Sequence, residues 1–205
     1  TKVVEKGCGD GLYITTTGLG EALPGIRVSG RLARPGDQVL LSGSIGDHGM
    51  AVMSAREGFA FGSGILSDSA PLNTLVEAIC RAAPHVRVLR DPTRGGLAAT
   101  LNEIAHQSGA GILLEESAIP VHDDVAQACE FLGLDPLCVA NEGKLIAIVP
   151  ESEAQACLKA MRASPLGREA ALIGEVTQED RGLVRMRTLL GGARMVDWLS
   201  ADQLT

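Results

Sequence analysis

The sequence predicts an α/β (α+β) sandwich, a mixed sheet with helices packed on one side. Short apolar runs such as Asp37–Ser42 and Lys144–Val149 read as buried strands. Segments with apolar residues at helical spacing alternate with them, as at Leu97, Leu101 and Ile104. Connections include both tight turns and helices, so strands of both directions share the sheet.

In chain order, Val3-Val4 and Leu12–Thr17 read as strands, with Gly7–Gly11 as the turn. Leu23-Pro24-Gly25 then breaks the pattern, which sets a boundary near residues 20–27. Two strands cannot fold alone. Residues 1–26 are therefore expected to be the last strands of an N-terminal domain otherwise absent from this chain, and residues 27–205 a C-terminal α/β domain.

Arg34-Pro35-Gly36 turns into the strand Asp37–Ser42, and the glycine-bearing turn Gly43–Gly46 leads to a helix from about His48 to Arg56. Pro71 suits the first turn of a helix running to about Ala82. Val86–Leu89 is a short strand, and the helix carrying Leu97, Leu101 and Ile104 stops at Gly109. Gly111–Leu114 is a strand, Asp123–Leu132 a helix and Lys144–Val149 a strand. Ser152-Glu153-Ala154-Gln155 is a capping-box pattern that opens a helix to about Arg162. Residues 171–187 and 192–196 read as closing strands with a turn at Asp180–Gly182, and Val196–Leu199 as the start of a short last helix.

Composition narrows the function. Hydrophobic residues make up 45% of the chain but aromatics only 2%, so the core is aliphatic and stacking platforms for single-stranded nucleic acid are lacking. The net charge is −7 with no Lys/Arg block, which argues against nucleic acid or an anionic membrane as partner. A phosphate ligand then needs local positive groups or a metal. Five cysteines form no CxxC pair, so neither a disulfide framework nor a zinc site is expected, and free thiols suit a reducing cytoplasm. No apolar run approaches membrane-spanning length.

The most informative stretch is Asp91-Pro92-Thr93-Arg94-Gly95-Gly96-Leu97, just before a helix. Glycines let backbone approach a ligand, a helix start presents free N–H groups to anions, and Asp91 can hold the Mg²⁺ that accompanies a nucleotide phosphate. The same residue types also make a plain strand-to-helix turn with Asp and Thr as caps, and both readings stand on local sequence. Gly43–Gly49 poses the same choice, a structural turn or an anion-facing helix start with Asp47 as N-cap. Glu142, in Asn141-Glu142-Gly143-Lys144 before a strand, reads either as a general base or as a solvated turn residue. His48, His85, His106 and His122 show no metal-binding spacing. Asp123-Asp124 read as helix caps and Cys138 as a small core residue.

Taken together, Lys2-Val3-Val4, Asp10-Gly11-Leu12, Ile14–Gly18, Gly46-Asp47-His48-Gly49, Asp91–Leu97, Asn141-Glu142-Gly143, Gly191-Gly192 and Asp202-Gln203-Leu204 resemble the HypE family of hydrogenase maturation proteins over essentially the whole chain. That family lies in the ATP-binding superfamily of aminoimidazole ribonucleotide synthetase, selenophosphate synthetase and thiamine-monophosphate kinase. The resemblance implies a C-terminal domain of the aminoimidazole ribonucleotide synthetase-like fold, in a homodimer paired through N-terminal domains. It implies an ATP-dependent carbamoyl dehydratase, with HypF delivering a carbamoyl group to a C-terminal cysteine. The carboxamide becomes a thiocyanate, whose cyanide goes to iron on a HypC–HypD scaffold.

On this resemblance Lys2 is a phosphate or carboxamide contact, Glu142 a proton acceptor and Asp91 a Mg²⁺ ligand. Asp47, Thr93, Arg94, Gly95 and Gly96 are ATP contacts. Two departures matter. The family's usual Pro-Arg-Ile-Cys tail is not found after Leu204, so none of the five cysteines inherits the acceptor role. The first domain's glycine-rich ATP segment is also absent. The 205-residue chain alone is therefore expected not to turn over. Another enzyme of the superfamily, such as selenophosphate synthetase, and a non-catalytic partner-docking domain are the rival readings.

Overall fold

The computed structural model describes residues 7, 11, 15, 17–58 and 64–198. The expected strands at Val3-Val4 and Leu12–Thr17 lie outside the described residues apart from Thr15 and Thr17, and so does Lys2. The regular elements are β1 (Asp37–Leu41), α1 (Asp47–Glu57), α2 (Asn73–Ala82), β2 (Val88–Arg90), α3 (Gly96–Ser108), β3 (Gly111–Glu115), α4 (Asp123–Leu132), β4 (Ile146–Pro150), α5 (Glu151–Ala163), β5 (Ala171–Thr177), β6 (Val184–Arg187) and β7 (Ala193–Met195).

The strands form a seven-stranded sheet in the order β2-β4-β1-β5-β3-β6-β7. It is mixed, as expected: β3 and β6 pair in parallel and the other neighbours antiparallel. Helices cover both of its faces rather than one. Val39, Leu41, Ile146 and Ile148 point to a core shared with Leu97, Leu101 and Ile104 of α3. Their neighbours Leu40, Ala147 and Val149 point the other way, to Leu75 and Ile79 of α2 and Cys157 and Met161 of α5. The central strands are uninterrupted apolar runs because both sides are buried. Each such aliphatic side chain contributes about 1.5–3 kcal/mol of burial. A third cluster joins α1 to α4 through Met50, Val125, Ala128 and Cys129, closed by Ile65 and Val139.

On the face of α2 and α5, the sheet beyond β1 carries charge. Register puts Glu175, Leu113 and Arg185 in one row and Glu115 and Arg187 in the next. Arg185 pairs with Glu179 and Asp180 at 3.0 and 3.1 Å, and Arg187 pairs with Glu115. β7 is the edge strand beside them, and all of its residues are exposed.

Several local expectations need correction. The Asp180–Gly182 turn is found as expected, but the strands on either side of it are not neighbours, because β3 lies between β5 and β6. The chain instead crosses the start of β3, where a Cβ at Gly111 would overlap the Glu179 carbonyl oxygen. Ile173 has no partner on β1, which shifts the register of β5 by one residue. Glu151 opens α5 with no side-chain cap, so the capping box is not formed. Residues 196–198 are not helical: Val196 N–H bonds Val184 O at 2.9 Å, and Val196 O accepts from Asn102 Nδ2 at 2.7 Å.

Candidate functional site

The topology brings the glycine and acidic motifs to one end of the sheet. β1 and β2 both run antiparallel to β4. The segments leaving β1 and β2 therefore emerge where the segment entering β4 arrives. These are Ser42–Gly46, Asp91–Gly95 and Asn141–Leu145.

Asn141, fully buried, ties the three together. Its Oδ1 accepts the Gly46 N–H at 2.8 Å, and its Nδ2 donates to Pro92 O at 2.9 Å and Val139 O at 3.0 Å. This is the amide orientation that satisfies all three backbone groups. Gly46 sits at φ 88° as the N-cap of α1, so Asp47 is the first helical residue and not the cap. Gly95 caps α3 in the same left-handed conformation. Gly96, at φ 62°, lies so close to the strand-entry segment that a Cβ would stand 2.5 Å from both Leu137 O and Val139 O. Backbone approach of this kind is open only to glycine.

Asp91, Arg94 and Glu142 are exposed at this end, Thr93 and Gly95 half-buried, and Gly96 buried. Asp91 and Glu142 are the chain neighbours of the hydrogen-bonded pair Pro92–Asn141, at the same end of the sheet. No Asp or Thr side chain caps α3. The Gly96 N–H donates within the turn to Thr93 O at 3.0 Å. Among the described residues no three His, Cys, Asp or Glu side chains gather as metal ligands, so Asp91 offers a single carboxylate. That suits a Mg²⁺ whose other ligands are phosphate oxygens and water.

Asp47 is only 6% exposed, and its carboxylate is turned to protein partners rather than to solvent. Ser44 Oγ donates to Oδ2 at 2.5 Å, His122 Nδ1 lies 2.8 Å from Oδ1, and Lys144 Nζ is 4.0 Å from Oδ2. The expected direct ATP contact by Asp47 is thus not how its side chain is placed; it braces the Gly43–Gly46 turn. His122 also reaches Glu169 at 3.3 Å. Burial opposes its positive charge, but the hydrogen bonds and charges of Asp47, then Glu169, outweigh that and raise its pKa above the ordinary imidazole value. Asp123 and Asp124 do not occupy the N-cap of α4; His122 does.

Sequence reasoning missed Asp68, Ser44 and the roles of Asn141, His122 and Lys144. Asn141 and Lys144 sat in a motif whose weight went to Glu142. His122 carried no spacing signal, since its partners lie 75 and 47 residues away. Cys138 is half-buried against the α3 core, as expected, and the described cysteines are free.

The family of AIR synthase related proteins, C-terminal domain, matches residues 34–187. The carbamoyl dehydratase HypE of Azotobacter vinelandii is 61% identical over 204 residues, which is 100% of this chain and 60% of that protein. The chain thus spans about three fifths of the length of such a relative. A crystal structure of the hydrogenase maturation protein HypE in complex with ATP is 50% identical, with TM-score 0.82 over 85% of this chain and 54% of that one. A HypE–HypF complex is 48% identical, with TM-score 0.82 over 85% of this chain and 56% of that one. On its sequence and its sheet, the chain belongs to the AIR synthase related family, whose C-terminal domain it carries, and its likeness within that family is to carbamoyl dehydratases named HypE.

Proposed function

We propose that this chain is the C-terminal α/β domain, residues 27–205, of an ATP-dependent carbamoyl dehydratase of [NiFe]-hydrogenase maturation, with residues 1–26 closing an N-terminal ATP-binding domain. The observation that carries the reading is Asn141, whose amide joins the Gly46, Pro92 and Val139 backbones and so ties together, at one end of the sheet, the segments that carry Asp91, Thr93–Gly96 and Glu142. A relative of the same fold binds ATP and another binds HypF, which supports both as ligand and partner here.

When bound, ATP with Mg²⁺ supplies a phosphoryl group to the carboxamide oxygen, which then leaves as phosphate. The chain's own residues do the rest. The N-terminus of α3, with Thr93, Arg94, Gly95 and Gly96, holds phosphate oxygens as negative charge grows on them. Asp91 is the residue to hold Mg²⁺. Lys2 contacts the phosphate or the carboxamide. Glu142 accepts the two protons of the amide nitrogen one after the other as the C≡N bond forms, passing the first on to solvent or the departing phosphate before taking the second, while the oxygen leaves on phosphate. The carbamoyl group arrives from HypF on a C-terminal cysteine, and the cyanide passes to a HypC–HypD scaffold in the cytoplasm. The N-terminal domains pair to form a homodimer.

The test uses a full-length protein in which this chain replaces the matched 60% of the Azotobacter vinelandii relative. With a carbamoylated tail and ATP, the mass of one water should be lost as phosphate appears. Selenide and an aminoimidazole precursor should release no phosphate. Phosphate release with selenide but not with the carbamoylated tail would refute the reading in favour of a selenophosphate synthetase.

A further inference from the structure

The segment between α1 and α2 carries no motif, yet it holds the turn that bears Glu142. Asp68 Oδ1 accepts the N–H of Glu142 at 2.9 Å and of Gly143 at 3.2 Å. The backbones are in contact, since a Cβ on Gly143 would overlap the Asp68 carbonyl oxygen. The Asp68 side chain is only 3% exposed, and its Oδ2 is buried with no hydrogen-bond partner. Lys144 Nζ, 3.6 Å from that oxygen, supplies the compensating charge. Two anchors fix the segment ahead of Asp68. Ile65 is buried in the cluster of α1 and α4, and Ser67 Oγ lies 2.9 Å from His48 Nδ1.

A carboxylate that takes two successive N–H groups fixes the direction of the backbone between them. It therefore fixes where the Glu142 side chain departs. We propose that Asp68 is the positioning residue for Glu142, with Lys144 holding the Asp68 charge in place. This rests on the reading of Glu142 as proton acceptor. Asp68 is not bonded to Thr93–Gly96, so its effect falls on the proton transfer rather than on nucleotide binding. No local pattern in the sequence marks it, because its partners stand 74 and 75 residues along the chain.

The full-length protein described above tests this in a double-mutant cycle. Asp68→Ala should lower kcat about 100-fold, the scale of a misplacement near 1 Å, with KM for ATP within about 2-fold. Asp68→Asn keeps the accepting oxygen and should lose only about 10-fold. Asp68→Ala combined with Glu142→Gln should be no slower than Glu142→Gln alone. If Asp68→Ala costs as much in the Glu142→Gln background as in the parent, Asp68 does not act through Glu142 and the proposal is wrong. If Asp68→Ala keeps the parent kcat while Glu142→Gln is impaired, the proposal alone falls. If Glu142→Gln by itself is fully active, the proton-acceptor reading falls and takes the proposal with it. Should Asp68→Ala fail to fold, Asp68→Asn carries the same cycle.

Discussion

Replacing Asn141 with Ala tests the claim that one amide ties these segments together at one end of the sheet. The change removes three side-chain hydrogen bonds, to Gly46 N–H, Pro92 O and Val139 O. Pro92 O keeps the Asn141 backbone N–H at 3.2 Å, so Gly46 N–H and Val139 O lose most. At about 1–3 kcal/mol for each buried group left unpaired, the loss is about 4 kcal/mol. For a chain of this size that is a fall in Tm of about 8–16 °C, read by calorimetry or circular dichroism. Asn141→Asp sharpens the test, since it keeps shape and volume. Its first oxygen still accepts from Gly46, but the second faces two carbonyl oxygens. The aspartate should be at least as destabilising as alanine near neutral pH. It should recover as pH falls, because the protonated acid can donate to one carbonyl and the raised folded-state pKa favours that form. An Asn141→Ala melt within about 2 °C of the parent would refute the reasoning, as would an Asn141→Asp protein of parental stability near neutral pH.

Gly96→Ala, at φ 62° with two carbonyl oxygens 2.5 Å from the new Cβ, should cost about 3 kcal/mol or more, whereas Gly109→Ala, at φ 68° in open space, should cost about 1 kcal/mol; equal losses in denaturant titrations would contradict the packing described. His122 has a raised folded-state pKa, so its stabilisation is full below the ordinary imidazole value and fades as pH rises through the folded value. The Tm gap between the parent and His122→Gln should therefore be wider at about pH 5.5 than at about pH 8, and a gap that widens upward would reverse the assignment. Burial, then Asp135, pushes the Cys129 thiol up to about 11, and burial, then Glu153 and Cys80, pushes Cys157 up to about 12. Alkylation at about pH 8 followed by peptide mass spectrometry should leave both unmodified until denaturant is added, and equal labelling of native and unfolded protein would contradict their burial.

The sheet was legible wherever one residue's neighbours decide its role. Asp37–Ser42 and Lys144–Val149 read as strands because apolar runs of that length have few other uses, and both are found within a residue or two. The pairing was less legible. Nothing local to Asp180–Gly182 says that β6 joins β3 rather than β5, since that depends on a strand about seventy residues earlier. The bulge at Ile173 places Leu172 and Glu175 on one face, three residues apart, so alternation cannot be read through β5. At the site, the glycine turns and exposed Asp91 and Glu142 announced themselves through residue type. The members that hold them are ordinary in sequence: Asp68 sits in an unpatterned segment and His122 before a helix. Their importance comes from groups brought near by the fold. Asp47 shows the opposite case, a residue singled out by its motif whose side chain faces inward because Ser44, His122 and Lys144 surround it.

The exposed strand β7 has a consequence for behaviour at high concentration. An outermost strand is a template on which another copy can add its own backbone, and the hazard grows with length and apolar character. Here the strand is three residues long, and its neighbour β6 carries Arg185 and Arg187 on the sheet face beside it. So short an outermost strand, beside a β6 whose arginines are ion-paired with Glu179, Asp180 and Glu115, offers little apolar template for a second copy. Exchanging both arginines for valine would remove these ion pairs and set two apolar β-branched residues beside the outermost strand, which raises the hazard of aggregation.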